Sequence, residues 1–502
     1  MSGSPVYVGD ELVGAVSHSL ASGPSTVAGL TAAKDLFALL DYPVGESSAE
    51  SAGDGAEVGP AMADSIEGAT GEEVAESESF EVLRVPLSAS GLGASAMNRL
   101  SSTLDREDAP LFAYPGSSAR LGGPVPSATV GAGDSFAAAL SYGDITFASI
   151  GTTALVCDDK AVAFGHLLDF TGKTELGANA ARALAIVEDE QNGPYKLAKV
   201  KDLAGLVDQD RMAGLRALLD RAPVPIPVNS KMTSLETGIT RFGRSSAVLD
   251  TILPPVGFYH FLGNADSVYD QIAGGSSKIF FRIVGQADGE EFVLGRHNVY
   301  SSHEDIALAS ARELERYLWT LVSQPFAEVD FTKVRMIGAF DEDRDDYKIT
   351  KALVSRNGGP YRDVREMRAE PGDDLGIRVT LRRLDGTTFT VDMELQIPPD
   401  TRRFAYITIA GASRFGDDDL SCFFDADICR VRFPRSVDSF QEVIRFLRHR
   451  PKNNVVRASL ITGRRGQVVD EDRAELDKPV LGSDFIRLDL PGRSGERSIA
   501  ER

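Results

Sequence analysis

The 502-residue chain is short of several things, and each shortage closes off a class of protein. It has three cysteines, Cys157, Cys422 and Cys429, too few and too scattered for a disulfide framework or a structural zinc site. Cys422 and Cys429 could pair, leaving Cys157 as a small core hydrophobe; free thiols are an equal reading, so the redox compartment stays open. No run approaches the ~20 consecutive apolar residues of a membrane helix, so no integral membrane segment is expected. HExxH, a Walker loop and a Cys/His metal cluster are missing, so neither a metal nor an organic cofactor is expected. Basic charge is scarce as well. With 53 Lys and Arg against 74 Asp and Glu, the formal charge of −21 repels phosphate backbones, and no nucleic-acid partner is expected. No basic residue precedes Lys34, and Met1-Ser2-Gly3-Ser4-Pro5 is turn-like, so the basic and apolar regions of a secretory signal are not found. Either the protein is cytoplasmic or the sequence lacks its true beginning.

What is present suits a soluble globular chain of about three domains, with 42% apolar and 25% charged residues. Residues 46–81 hold eleven acidic side chains and no Lys or Arg; they read as a disordered insertion and supply −11 of the −21. It divides residues 1–45 from residues 82–252. In the first piece, the apolar runs 5–8 and 12–16 around Gly9-Asp10-Glu11 read as a hairpin, followed by a helix over 32–40. In the second, 80–86 reads as a strand, and Ser90 caps a helix to about 104. Two strands flank the turn Cys157-Asp158-Asp159-Lys160, within short strands broken by Gly and Pro between 123 and 228. Residues 253–345 form a mixed α/β connecting region with a helix over 303–322. In residues 346–490, Ile377, Val379 and Leu381, the turn Asp385-Gly386, then Phe389, Val391, Met393, Leu395 and Ile397 alternate at period two. That hairpin predicts an immunoglobulin-like β-sandwich, with an amphipathic helix over 438–450 that turns Val443, Ile444 and Leu447 inward. Residues 491–502 read as a disordered tail.

The first chemical constellation is Ser2-Gly3-Ser4-Pro5 leading into the hairpin. A serine followed by glycine at the mouth of a hairpin is how a chymotrypsin-like barrel presents its nucleophile, because glycine permits the tight turn. A general base is then needed, and the six histidines are His18, His166, His260, His297, His303 and His449. His166 is the best placed. Phe164-Gly165-His166 ends an apolar strand, where a side chain emerges from a rigid element.

These residues resemble a known family. Met1-Ser2-Gly3-Ser4-Pro5-Val6 and Leu12-Val13-Gly14-Ala15-Val16-Ser17-His18 are similar to the nucleophile block of the SpoIVB-type sporulation serine peptidases. Gly143-Asp144, Ile150-Gly151-Thr152-Thr153, Ala163-Phe164-Gly165-His166 and Val207-Asp208-Gln209-Asp210-Arg211-Met212-Ala213-Gly214 are similar to the block that carries its histidine. The resemblance implies a serine endopeptidase with Ser2 as nucleophile and His166 as general base, Ser4 being only a neighbour. It also implies an extracytoplasmic or secreted address and a protein or peptide substrate; oligomeric state is not readable. The chain departs from the family in three ways. Ser2 precedes His166, no PDZ-like segment is found, and the sequence starts one residue before the nucleophile. One oxyanion donor and the orienting acid are therefore not visible; Asp144, Asp169 and Asp210 are candidates for the acid. The economical expectation is an upstream segment missing from this sequence.

The expected fold is mostly β: a chymotrypsin-like double β-barrel serine peptidase region, a C-terminal β-sandwich and a few helices. Three competing readings stand beside it. Val130-Gly131-Ala132-Gly133-Asp134-Ser135 resembles the anion-hole and base motif of ribokinase-type sugar kinases, against the plainer reading of a glycine turn before a strand. Gly91-Leu92-Gly93-Ala94-Ser95-Ala96 matches a dinucleotide-binding fingerprint, against a serine-capped helix entry. A degenerate peptidase-like scaffold that binds peptides or cell-envelope components is the non-enzymatic alternative.

Overall fold

The computed structural model describes residues 1–20, 27–43, 56–71, 73–74, 78–122, 126–169, 171–189, 192–401, 404–411, 422–434, 436–463 and 467–490. The tail expected at 491–502, and residues 46–55 of the acidic insertion, lie outside the described residues. Strands outweigh helices and assemble into five sheets, so the protein is mostly β.

The first sheet holds β1 (Pro5–Val8), β2 (Glu11–Leu20), β3 (Ala28–Ala32), β4 (Ala56–Glu57) and β5 (Ser79–Val82), with α1 (Ala33–Leu40) and α2 (Pro60–Thr70) between strands. β2 pairs with β1, β3 and β5, so the predicted hairpin is also the centre of its sheet. Residues 60–70 overturn the expectation of disorder across 46–81. Pro60 opens α2, Gly71 ends it in the left-handed region at φ 76°, and Val58, Ala63 and Val74 are buried with Leu20. The stretch is poor in apolar residues, but Val58, Ala63 and Val74 meet Leu20 from β2 outside it, a contribution that local composition does not register.

β6 (Val85–Ser90), α3 (Ala94–Arg106) and β7 (Leu111–Pro115) form a β-α-β unit with parallel strands. The single strand read over 80–86 is thus two, and Gly93, not Ser90, caps α3. The second sheet continues with β8 (Ser135–Ala139), β10 (Thr146–Cys157), β11 (Lys160–Ala163), β12 (Gly172–Val187), β13 (Tyr195–Arg211) and β14 (Gly214–Leu218), while the short β9 (Ser141–Gly143) leaves it. β10 is long enough to hold β8 on one edge and β11 on the other. Its residues 148–152 pair with β8 and its residues 153–157 with β11, which joins β10-β8-β12-β13-β14-β11 into a closed ring. One closed ring forms among the described residues. The expected second barrel is not seen, because β15 (Ile226–Ser234) and β16 (Thr240–Ala247) join a different sheet.

That third sheet runs β18-β17-β19-β15-β16-β9, with β17 (Gly275–Ala287), β18 (Glu290–Ser302) and β19 (Val329–Asp341). α4 (Leu253–Tyr269) and α5 (Ile306–Ser323) pack on it, α4 buried on nearly every face. Through β9 this sheet is continuous with the ring region, and one apolar core extends from Val85 to Leu447. The boundary expected between residues 252 and 253 therefore does not divide the molecule.

The second core belongs to two facing sheets. One is β23-β22-β20-β27 and the other β21-β28-β24-β25-β26, built from β20 (Tyr347–Arg356), β21 (Glu366–Arg368), β22 (Asp374–Arg382), β23 (Thr388–Gln396), β24 (Phe404–Gly411), β25 (Val455–Thr462), β26 (Gln467–Glu475), β27 (Val480–Leu481) and β28 (Ser483–Asp489). Ile377, Val379 and Leu381 from one face meet Ile407, Ile409 and Leu460 from the other, as the period-two alternation requires. Residues 422–448 interrupt this layer. They contain the Cys422–Cys429 disulfide, α6 (Ala426–Cys429) and α7 (Phe440–Arg448), and α7 buries Phe440, Val443 and Leu447 in the first core. Cys157, read as a possible core hydrophobe, is exposed. Among the described residues no helix is long and apolar enough to cross a membrane.

Candidate active site

The Ser2-Gly3-Ser4 turn is sewn onto β2: Gly3 N–H donates to the Val16 carbonyl at 2.8 Å, and Val16 N–H donates to Ser4 at 3.0 Å. Gly3 has φ 75°, and a Cβ there would lie 2.3 Å from the Thr152 carbonyl oxygen and 2.7 Å from Phe164 N. Only glycine lets this turn press against β10 and the end of β11. That end is itself unusual. Phe164 and Gly165 are both in the left-handed region, at φ 69° and 67°, which costs a phenylalanine roughly 1 kcal/mol or more. The Phe164 ring compensates by burying fully, its edge against Phe136 and its body over Gly151, where a Cβ would meet the ring at 2.9 Å. Thr31 Oγ1 donates to the Gly165 carbonyl at 2.5 Å and ties the loop to β3.

The two turns place Ser2 Oγ 2.5 Å from His166 Nε2, across 164 positions of sequence. Ser2 Oγ also lies 2.9 Å from the Phe164 carbonyl, a second acceptor for its proton. His166 Nδ1 is 2.7 Å from the Leu167 carbonyl. Since a carbonyl only accepts, Nδ1 carries the proton and Nε2 presents its lone pair to the serine. His166 is 1% exposed, and burial pushes its pKa down to about 4, with the nearby His18 opposing a second positive charge and the Leu167 carbonyl pulling the other way. The ring is therefore neutral at neutral pH. The Ser2 N–H has no hydrogen-bond partner among the described residues.

Of the acids considered for the third position, none reaches the ring. Asp210 is buried and clamps the segment after the histidine, accepting from Leu168 N–H and Asp169 N–H at 2.8 Å each. Asp169 contributes its backbone to that clamp. Asp144 lies elsewhere, accepting from Arg244 N–H at 2.8 Å. The Leu167 carbonyl stands where an orienting acid was expected.

Sequence reading missed what fixes this arrangement. Arg216, with no exposed surface, pairs with Asp208 at 2.6 Å and donates to the carbonyls of Leu39, Leu40 and Tyr42 at the end of α1. It locks the Ser2 piece to the ring that carries His166. Lys196 is buried and donates to Thr152 Oγ1 at 2.6 Å, and burial lowers its pKa. It sets a positive charge behind the strand on which Gly3 rests. A buried lysine and arginine in an acidic chain were the available signal, but burial is not visible in the sequence.

The competing motifs resolve differently. Asp134 accepts from Gly131 N–H at 2.7 Å and closes its own turn, and β8 follows directly where a kinase motif needs a helix. A glycine turn before a strand is what forms. Gly91–Ala96 does enter a helix between parallel strands, but Gly91 is covered by the Asp144 carbonyl and by Gly263. Ser245 Oγ and Ser230 Oγ flank the two nitrogens of His260 at 2.8 and 2.9 Å, a second serine–histidine cluster that the sequence did not announce. Among the described residues no group of three His, Cys, Asp or Glu side chains is arranged to hold a metal ion. No family model, curated protein or solved structure matches this chain.

Proposed function

We propose that the protein is a serine endopeptidase working through a Ser2–His166 pair, with the Leu167 carbonyl in place of an acid. The observation that carries this reading is the 2.5 Å contact between Ser2 Oγ and the unprotonated Nε2 of His166. Ser2 Oγ attacks the substrate carbonyl carbon while its proton passes to Nε2; the imidazolium then gives that proton to the leaving amine, and an ester to Ser2 remains. Water, deprotonated by the same nitrogen, hydrolyses the ester and restores the hydroxyl. The Ser2 N–H is a donor for the developing oxyanion, and the Lys196 charge favours negative charge nearby. The two blocks that resemble the SpoIVB-type peptidases are those that supply the serine and the histidine, which supports the same reading and an extracytoplasmic protein substrate.

A fluorophosphonate probe tests it, since phosphonylation needs an activated serine but no known substrate. One adduct on Ser2 is expected, absent in Ser2→Ala and slowed at least ~10³-fold in His166→Ala. A folded protein that acquires no adduct on Ser2 sinks the peptidase reading and leaves a peptide-binding scaffold.

A further inference from the structure

A cleft of about 1150 Å³ opens between the two cores, bounded by α5, α7, the segment after Cys429 and the strands β25 and β26. Eight arginines line it, against two glutamates and no lysine. In a chain of net charge −21 this is a strong local reversal of sign.

The arginines are held in place by the fold. Arg312 and Arg316 stand one turn apart on α5, a like-charge spacing that costs a helix a few tenths of a kcal/mol and that packing alone does not call for. Arg430 and Arg432 follow the Cys422–Cys429 bridge, which pins that wall beside α5. Arg457 and Arg473 approach from neighbouring strands and share Glu471. Of the lining acids, Glu313 is already engaged by Arg296, Asn298 and Tyr300, and Glu442 pairs with Arg445 on its own helix. Asp427 pairs with Arg430 at 2.9 Å. Arg432 is exposed and makes no ion pair among the described residues. Glu315, buried beneath Arg312 and Arg316, has its pKa raised to about 8 by burial and so adds little negative charge at neutral pH.

We infer that this cleft binds a small, multiply phosphorylated anion. Guanidinium forks match phosphoryl oxygens two at a time, and each phosphoryl group brings up to two charges and three acceptors where a carboxylate brings one charge and two. The net negative charge of the rest of the surface opposes long polyanions but is screened for a ligand that sits within the cleft. A site between two packed units also suits a ligand that bridges them.

Inorganic tripolyphosphate is the probe, and Trp319, the sole tryptophan, reports on it because its ring packs against Cys429 in the cleft wall. Saturable binding to the full chain is expected, weakened at least ~10-fold in the Arg432→Glu/Arg445→Glu double variant and by a rise from ~50 to ~200 mM salt. Both side chains are exposed, so the thermal midpoint of the double variant should match that of the parent. Citrate is expected to bind at least ~10-fold more weakly. Absence of saturable binding, equal binding by parent and double variant, equal binding of citrate, or tighter binding of a single-stranded oligonucleotide each overturns the inference.

Discussion

The molecule contains two histidines sealed from water with serine hydroxyls on their ring nitrogens, and their surroundings differ. His260 has no exposed surface, and both its nitrogens meet serines, Ser245 and Ser230. Ser245 Oγ also accepts from Ile145 N–H at 3.0 Å, so that hydroxyl is committed to backbone as well as ring. Both ring nitrogens of His260 are satisfied inside the core, and the cluster ties α4 to β15 and β16. His166 instead has one nitrogen on a backbone carbonyl and the other on Ser2, which sits on a glycine turn and not inside a strand. A serine–histidine contact alone therefore does not mark a reactive pair. Reactivity depends on a hydroxyl presented from a turn and on a ring with a nitrogen left for proton transfer.

Acid stability tests what the two sites share. Burial lowers both pKa values from 6.5 to about 4. Between those values the unfolded chain binds protons that the folded protein refuses, so stability is complete above pH ~6.5 and lost as pH falls toward ~4, up to ~3 kcal/mol for each histidine. Denaturant midpoints at pH ~7.5 and ~4.5 should show this loss, and His260→Gln should remove roughly half of it. Fluorophosphonate labelling of Ser2 should hold its rate down to about pH 5, because its base stays neutral there; a fall centred near pH ~6.5 would place His166 in water.

Gly3→Ala tests what is particular to the first site. Its Cβ clashes with the Thr152 carbonyl and the turn must retreat from β10. Labelling of Ser2 should drop about 10²-fold, with far-UV circular dichroism unchanged; an unaffected rate would show that the turn does not position the hydroxyl. The smallest effect belongs to the second site. Ser230→Ala leaves His260 Nε2 without its partner and should cost about 1 to 3 kcal/mol in chemical denaturation while leaving Ser2 labelling as it was.

The hairpin of β1 and β2, the alternation of β22 and β23, and the helices α1, α5 and α7 were legible because each is a local pattern of period two or 3.6 with its own turn or cap. The disulfide remained one of two readings until the fold brought Cys422 and Cys429 to a Cα separation of 6.1 Å. The helix at 60–70 was hidden because its few apolar residues gain their burial from Leu20 of β2. The ring, its junction with the third sheet through β9, and the failure of residue 252 as a boundary depend on pairings between strands far apart in sequence, which no local signal encodes.

Sequence alone determined which side chains were available for chemistry: a serine before a glycine, a histidine after a strand, and a surplus of acid. Tertiary structure decided that Ser2 and His166 meet, that a backbone carbonyl and no carboxylate holds the ring, and that His260 is enclosed with serines of its own. It also gathered eight arginines from separate elements into one cleft of a negatively charged protein. Turns and alternation follow from the covalent preferences of neighbouring residues; distances, burial and the pKa shifts that burial causes exist only after distant segments have packed.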